Sequence, residues 1–145
     1  NQLKNRSKNI KIIKDFLKNA ADYKIKIVTA EYPIKNKILN KLGKSSGVKF
    51  TQKDFKHEKI LMAYSSMLGN KPIKSLIQSF KKQYKNFTLG LGLLATGIHG
   101  NEPVMSSEQL ARDLKDARSA GIKEVVIFRL GGLTKSNIKI IKKYV

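Results

Sequence analysis

The sequence has no cysteine and no tryptophan, three prolines, and ten acidic residues among 145. Without cysteine, disulfides and thiolate metal sites are excluded, and the redox compartment is left open. No apolar run approaches the roughly 20 residues that span a bilayer, so no transmembrane helix is expected. No secretory leader is read, and the chain begins at Asn1 rather than Met, so no compartment is assigned. Collagen-like and disulfide-stapled classes are excluded by composition.

What is abundant is positive charge. Lys and Arg total 30, for a formal net charge of +20. Only Arg6, Arg112, Arg118 and Arg129 are arginine; the rest is lysine, a solvated point charge rather than a fork for phosphate. Residues 1–90 carry +16 and residues 91–145 carry +4. Such a chain binds polyanions non-specifically, whatever its true partner. Hydrophobic residues, at 41%, suffice for one core, and the length suits a single domain spanning 1–145.

The spacing predicts a leading helix over 9–21, within a leading segment 1–23, from Ile10, Ile13, Leu17 and Ala21. Four βα units are expected over 24–145. Strands are expected at Lys24–Ala30, Lys59–Tyr64, Phe87–Ala95 and Glu124–Leu130. Their starts, near 24, 59, 87 and 123, lie 35, 28 and 36 residues apart, enough for a strand and a crossover helix and too long for hairpins. Ile34, Ile38, Leu39 and Leu42 mark a helix closed by Gly43. Asn70 is the expected cap, with Pro72 in the first turn, of a helix carrying Ile73, Leu76, Ile77, Phe80 and Tyr84. Ser106 and Gln109 form an expected capping box, Gly121 ends that helix, and Thr134 or Ser136 caps the last one. Nearly continuous apolar strands imply a parallel sheet covered on both faces. Gly90 and Gly92 alternate within the third strand, which implies close backbone approach.

Ligands of parallel α/β proteins gather beyond the carboxyl ends of the strands. That rule selects Thr29, Glu31 and Tyr32; Tyr64, Ser65 and Ser66; the loop from Thr96 with His99, Asn101 and Glu102; and Arg129 with Gly131 and Gly132. Glu31 reads as a general acid or sugar ligand, or as a salt bridge to a lysine. Glu31 and Glu102 are the candidate catalytic carboxylate pair of the kind glycoside hydrolysis needs; Glu102 also reads as a solvated loop residue. Tyr64, Ser65, His99, Asn101 and Arg129 are the candidate substrate contacts. Arg129 interrupts an apolar strand, which calls for a carboxylate or a ligand at its head. His57 is expected to be exposed. His99 and Glu102 lack a third neighbouring ligand, so no metal is expected, and no cofactor is implied. Gly131-Gly132 before a capped helix reads as a structural turn or as a phosphate cradle.

The runs Ala30-Glu-Tyr-Pro33, Lys59-Ile-Leu-Met-Ala-Tyr-Ser-Ser66, Gly90-Leu-Gly-Leu-Leu-Ala-Thr-Gly97, Ser107-Glu-Gln-Leu-Ala-Arg-Asp-Leu114 and Ala120-Gly-Ile-Lys-Glu-Val-Val-Ile-Phe128 resemble the second half of a glycoside-hydrolase-like (β/α)8 barrel of chitinase-like type. The resemblance covers about residues 24–135, and Met62-Ala63-Tyr64 matches that family's Met-x-Tyr strand end. It implies a partial (β/α)8 barrel of about four parallel strands with flanking helices, a carbohydrate substrate, and Tyr64 as a substrate contact. Ser65 stands where the family has Asp, the family's acidic fourth-strand motif has no counterpart here, and no Trp supplies a stacking platform. Four strands do not close a barrel that needs eight, so the expected partner is the missing N-terminal half of the barrel or a second copy of the chain. Two alternatives stand beside this reading. One is a basic α/β module that binds nucleic acid through Lys–phosphate contacts; the other is a barrel for a phosphate-containing metabolite using Gly131-Gly132.

Overall fold

Helix α1 spans Gln2–Asp22 and stops for a local reason. Lys24 takes a left-handed φ of 60°, and the Ile25 amide reaches back to the Ala20 carbonyl at 3.1 Å. That is a Schellman closure, with lysine where glycine is usual. The closure uses Lys24 and Ile25, so β1 covers Val28–Glu31 and not the expected 24–30. The computed structural model describes residues 2–32, 56–69, 71–93 and 104–144. The expected helix around Ile34–Leu42 lies outside them.

The chain forms two compact units, Asn1–Lys59 and Ile60–Val145. The first contains α1, β1 and the start of β2 (Glu58–Met62). There the Glu58 amide donates to the Ile27 carbonyl at 3.0 Å. The second contains the rest of β2, α2 (Lys74–Gln83), β3 (Thr88–Gly92), α3 (Ser107–Ser119), β4 (Val125–Phe128) and α4 (Lys135–Tyr144). The architecture is α/β, a four-stranded parallel sheet flanked by helices, with the strands hydrogen-bonded in the order β1-β2-β3-β4.

In the second unit Ile60 pairs with Thr88 and Met62 with Gly90, while Gly90 pairs with Val126 and Gly92 with Phe128. The pleat therefore gives two faces. Leu61, Ala63, Leu89, Leu91 and Leu93 belong to a core completed by Ile73, Leu76, Ile77, Phe80, Leu110, Leu114 and Ala117. Ile60, Met62, Gly90, Gly92, Val126 and Phe128 share the other face. The strands are not equally covered. Four of the five β3 residues are buried, whereas all four of β4, at the end of the strand order, are only half-buried.

The expected caps fare differently. At α3 the capping box forms as the Ser-x-x-Gln spacing implies: Gln109 N donates to Ser106 Oγ at 3.2 Å and Ser106 N to Gln109 Oε1 at 2.8 Å. Gly121 closes this helix with φ 71°, and Ile122 N reaches Ala117 O at 3.1 Å. Helix α2 begins later than Asn70 and Pro72 implied. Ile73 is its N-cap and has no side-chain cap bond. The Lys74 amide donates instead to the Asp116 carboxylate of α3 at 3.2 Å, a tertiary acceptor in place of a local cap. Asn70 itself lies outside the described residues.

Candidate functional site

Two residues beyond β2, the Tyr64 ring lies flat on β3. A Cβ built on Gly92 would stand 2.6 Å from Tyr64 Cγ, so glycine is what lets the ring lie there. The Phe128 ring is 6.1 Å away, tilted by 53°, within the range where aromatic pairs attract. Tyr64 is thereby buried, with its body fixed by the ends of β3 and β4.

The chain next enters a 3-10 turn, Ser65–Leu68. Ser65 is fully buried, and its hydroxyl donates to Asp113 Oδ2. Asp113 comes from α3 and is also fully buried. Arg112 donates to its other oxygen through both Nε and Nη2, each at 3.3 Å. Burial pushes the Asp113 carboxyl above its ordinary range; the Ser65 hydroxyl and the Arg112 charge oppose that shift. Ser66 is buried, and its hydroxyl has no hydrogen-bond partner among the described residues. Asp113 escaped the sequence reading, although a signal was present. Leu110, Asp113, Leu114 and Ala117 recur at i, i+3, i+4 and i+7, so a carboxylate sits within the core-facing stripe of its helix.

A second polar cluster joins the starts of α3 and α4. Thr134 Oγ1 accepts from the Asn137 amide at 3.2 Å, which settles the choice between Thr134 and Ser136 as the cap. Ser107 Oγ lies 2.8 Å from Ser136 Oγ and donates to Asn137 Oδ1 at 3.0 Å. Asn137 Nδ2 donates to Gly132 O at 3.5 Å, and Asn137 is buried. Gly131-Gly132 falls in a 3-10 turn, Leu130–Gly132. A Cβ on Gly132 would meet Leu93 O at 3.2 Å, whereas Gly131 faces open space. Sequence reasoning also missed Asn137, whose side chain ties this turn to α3.

Arg129 corrects an expectation. It follows β4 rather than interrupting it and is exposed, so it has no buried charge to compensate. Among the described residues no carboxylate pairs with it. His57 is a second correction: it is buried, not exposed. It directly precedes Glu58, whose amide donates to the Ile27 carbonyl just before β1.

Within the first unit, Glu31 is the last residue of β1 and is buried. Its Oε1 accepts from Lys59 Nζ, itself buried, and from Thr29 Oγ1 at 3.4 Å. This is the lysine salt bridge foreseen for Glu31. Outside it, Lys26 and Glu58 form an exposed pair at 3.0 Å. His99, Asn101 and Glu102 lie outside the described residues, so the Glu31–Glu102 separation is not defined. No group of three or more His, Asp or Glu among the described residues is placed to hold a metal. No helix among them is long and apolar enough to cross a membrane.

No protein-family model, curated protein or solved structure matches this chain.

Proposed function

We propose that the chain is the C-terminal half of a (β/α)8 barrel of glycoside-hydrolase-like type, acting on or binding a carbohydrate beyond the carboxyl ends of its strands. The observation that carries this reading is Tyr64 seated on Gly92 and Phe128 at the ends of β2, β3 and β4. Parallel strands joined by helices bring their carboxyl ends to one rim, the place where barrels of this kind bind ligands. An aromatic side chain held there by a glycine opposite it offers a preformed contact for a sugar, with Ser65, Ser66 and Arg129 next along the same rim.

The test is a binding titration with an oligosaccharide panel, chitooligosaccharides included, alongside random-sequence duplex DNA at two salt concentrations. The reading predicts saturable oligosaccharide binding that survives added salt and weakens on Tyr64→Ala. DNA binding that falls steeply with salt, with no sugar bound, would overturn it in favour of the nucleic-acid alternative.

A phosphorylated sugar is the second reading. The hydroxyls of Thr134, Ser136 and Ser107 meet where α3 and α4 begin, beside Gly132, and helix starts favour anions. Competition of inorganic phosphate with the bound sugar, abolished by Ser136→Ala, would support it; indifference to phosphate removes it.

A further inference from the structure

Within the second unit, the crossover helices end where the strands begin, opposite the carboxyl ends of β2, β3 and β4. Lys81 Nζ of α2 donates at 2.8 Å to the carbonyl of Ala120, the C-cap of α3. Helices α3 and α4 start together at Ser107 and Ser136 and pack along one another, so they also end together. The starts of β3 and β4 join this end, where the Thr88 hydroxyl donates to Glu124 Oε2 at 3.2 Å.

Six basic side chains stand exposed here: Lys82, Lys85, Arg118, Lys123, Lys142 and Lys143. Helices α2 and α4 contain no acidic residue. Asp116 and Glu124, the acidic residues closest to them in sequence, already accept from the Lys74 amide and the Thr88 hydroxyl. A cation in the last turn of a helix offsets its dipole, which accounts for Lys82, Arg118, Lys142 and Lys143. It does not account for Lys85 and Lys123, which lie in the connections into β3 and β4. The first unit has 16 basic and five acidic residues, so it supplies no net negative charge. The counter-charge belongs to another molecule.

Anionic partners differ in what else they require. A lipid surface takes apolar insertion as well as charge. The exposed large apolar side chains of the second unit are Leu68, Val104, Leu130 and Ile138. They follow β2, precede α3, follow β4 and fall in the first turn of α4, all away from this end. A single nucleic-acid strand takes exposed aromatic rings on which bases stack. The rings of these segments, Tyr84, Phe87 and Tyr144, are half-buried. A duplex needs only cations along its phosphates.

We propose that this end of the second unit is a docking surface for duplex nucleic acid, held through the phosphates without regard to sequence. The proposal does not rest on the carbohydrate reading, because the two surfaces lie at opposite ends of the strands.

The experiment is fluorescence anisotropy of a labelled random-sequence DNA duplex titrated with the full chain, between about 0.05 M and about 0.2 M salt. Six phosphate contacts give a slope of log affinity against log salt of about −5. Lys85→Gln with Lys123→Gln should make that slope shallower by about 2. Two control pairs remove the same charge elsewhere: Lys71→Gln with Lys135→Gln, at the starts of α2 and α4, and Lys11→Gln with Lys18→Gln, on α1. Both should leave the slope as it is, and all three pairs should leave the circular dichroism unchanged. Absence of duplex binding overturns the proposal. So does a slope that changes equally in all three pairs, which is the mark of net charge alone. Polyglutamate bound as tightly as the duplex, or anionic vesicles bound in preference to it, overturns it in favour of those partners. Duplex binding with the expected slopes and no sugar bound would leave this surface standing and remove the carbohydrate reading.

Discussion

Replacing Gly92 by alanine places a methyl carbon 2.6, 2.8 and 2.9 Å from three carbons of the Tyr64 ring. Carbon atoms that merely touch lie about 3.5–4.0 Å apart, so the ring must retreat by roughly 1 Å. It cannot do so freely, because the ring is buried and Phe128 stands beside it. Overpacking of this kind costs about 1–3 kcal/mol. Gly90→Ala is the internal control. Its nearest neighbour is the Ile60 Cγ2 methyl at 3.0 Å, a smaller encroachment than the three ring carbons at Gly92, so its cost should fall below that of Gly92→Ala. The assay is urea unfolding followed by circular dichroism, compared at constant slope. Tyr64→Ala should remove most of the Gly92→Ala penalty, leaving a coupling of about 1–3 kcal/mol between the sites. Equal costs for the two glycine variants, or no relief by Tyr64→Ala, would refute the placement of the ring.

Further predictions follow from the buried charges and the caps. The folded-state pKa of Asp113 is raised, so the native chain holds this proton more tightly than the unfolded one. Its contribution to stability is complete below the ordinary carboxylate range and is lost as pH rises through the folded-state value. Asp113→Asn should flatten that part of the stability–pH curve and be neutral or stabilising near pH 7, whereas Asp113→Ala, which strips Ser65 of its acceptor, should cost about 1–3 kcal/mol by urea unfolding. Lys59→Met leaves the Glu31 carboxylate buried without its cation and should cost about 3–5 kcal/mol; adding Glu31→Leu should recover much of it, measured by the same assay. Ser106→Ala should lose about 1 kcal/mol through the broken capping box, visible as a lower thermal midpoint.

The βα rhythm was legible because each strand is a short apolar run and each crossover helix repeats its apolar residues at helical spacing, as Leu76, Ile77 and Phe80 do. The α3 cap was legible because both partners of the Ser106–Gln109 box are local. The α2 start was not, since its amide acceptor, Asp116, is 42 residues away in sequence. The early β1 start failed because Lys24 adopts a left-handed turn that composition associates with glycine. Arg129 looked deep because Phe128 precedes it and Leu130 follows, but the strand ends before it. Gly90 and Gly92 announced a close approach without naming what approaches; the Tyr64 ring is a tertiary fact. The position of Tyr64 and Ser65 just past a strand end was legible, whereas Asp113 was hidden in the periodicity of a helix that otherwise reads as core.

The central claim is that the carboxyl ends of β2, β3 and β4 form one ligand-binding rim. A two-dimensional amide NMR titration of the chain with a bound oligosaccharide tests it most directly. The account predicts perturbed signals at Tyr64–Ser66, Gly92–Leu93 and Arg129–Gly132, with the lysine-bearing outer helix faces unmoved. Shifts confined to those helix faces, or scattered along the amino ends of the strands, would contradict it.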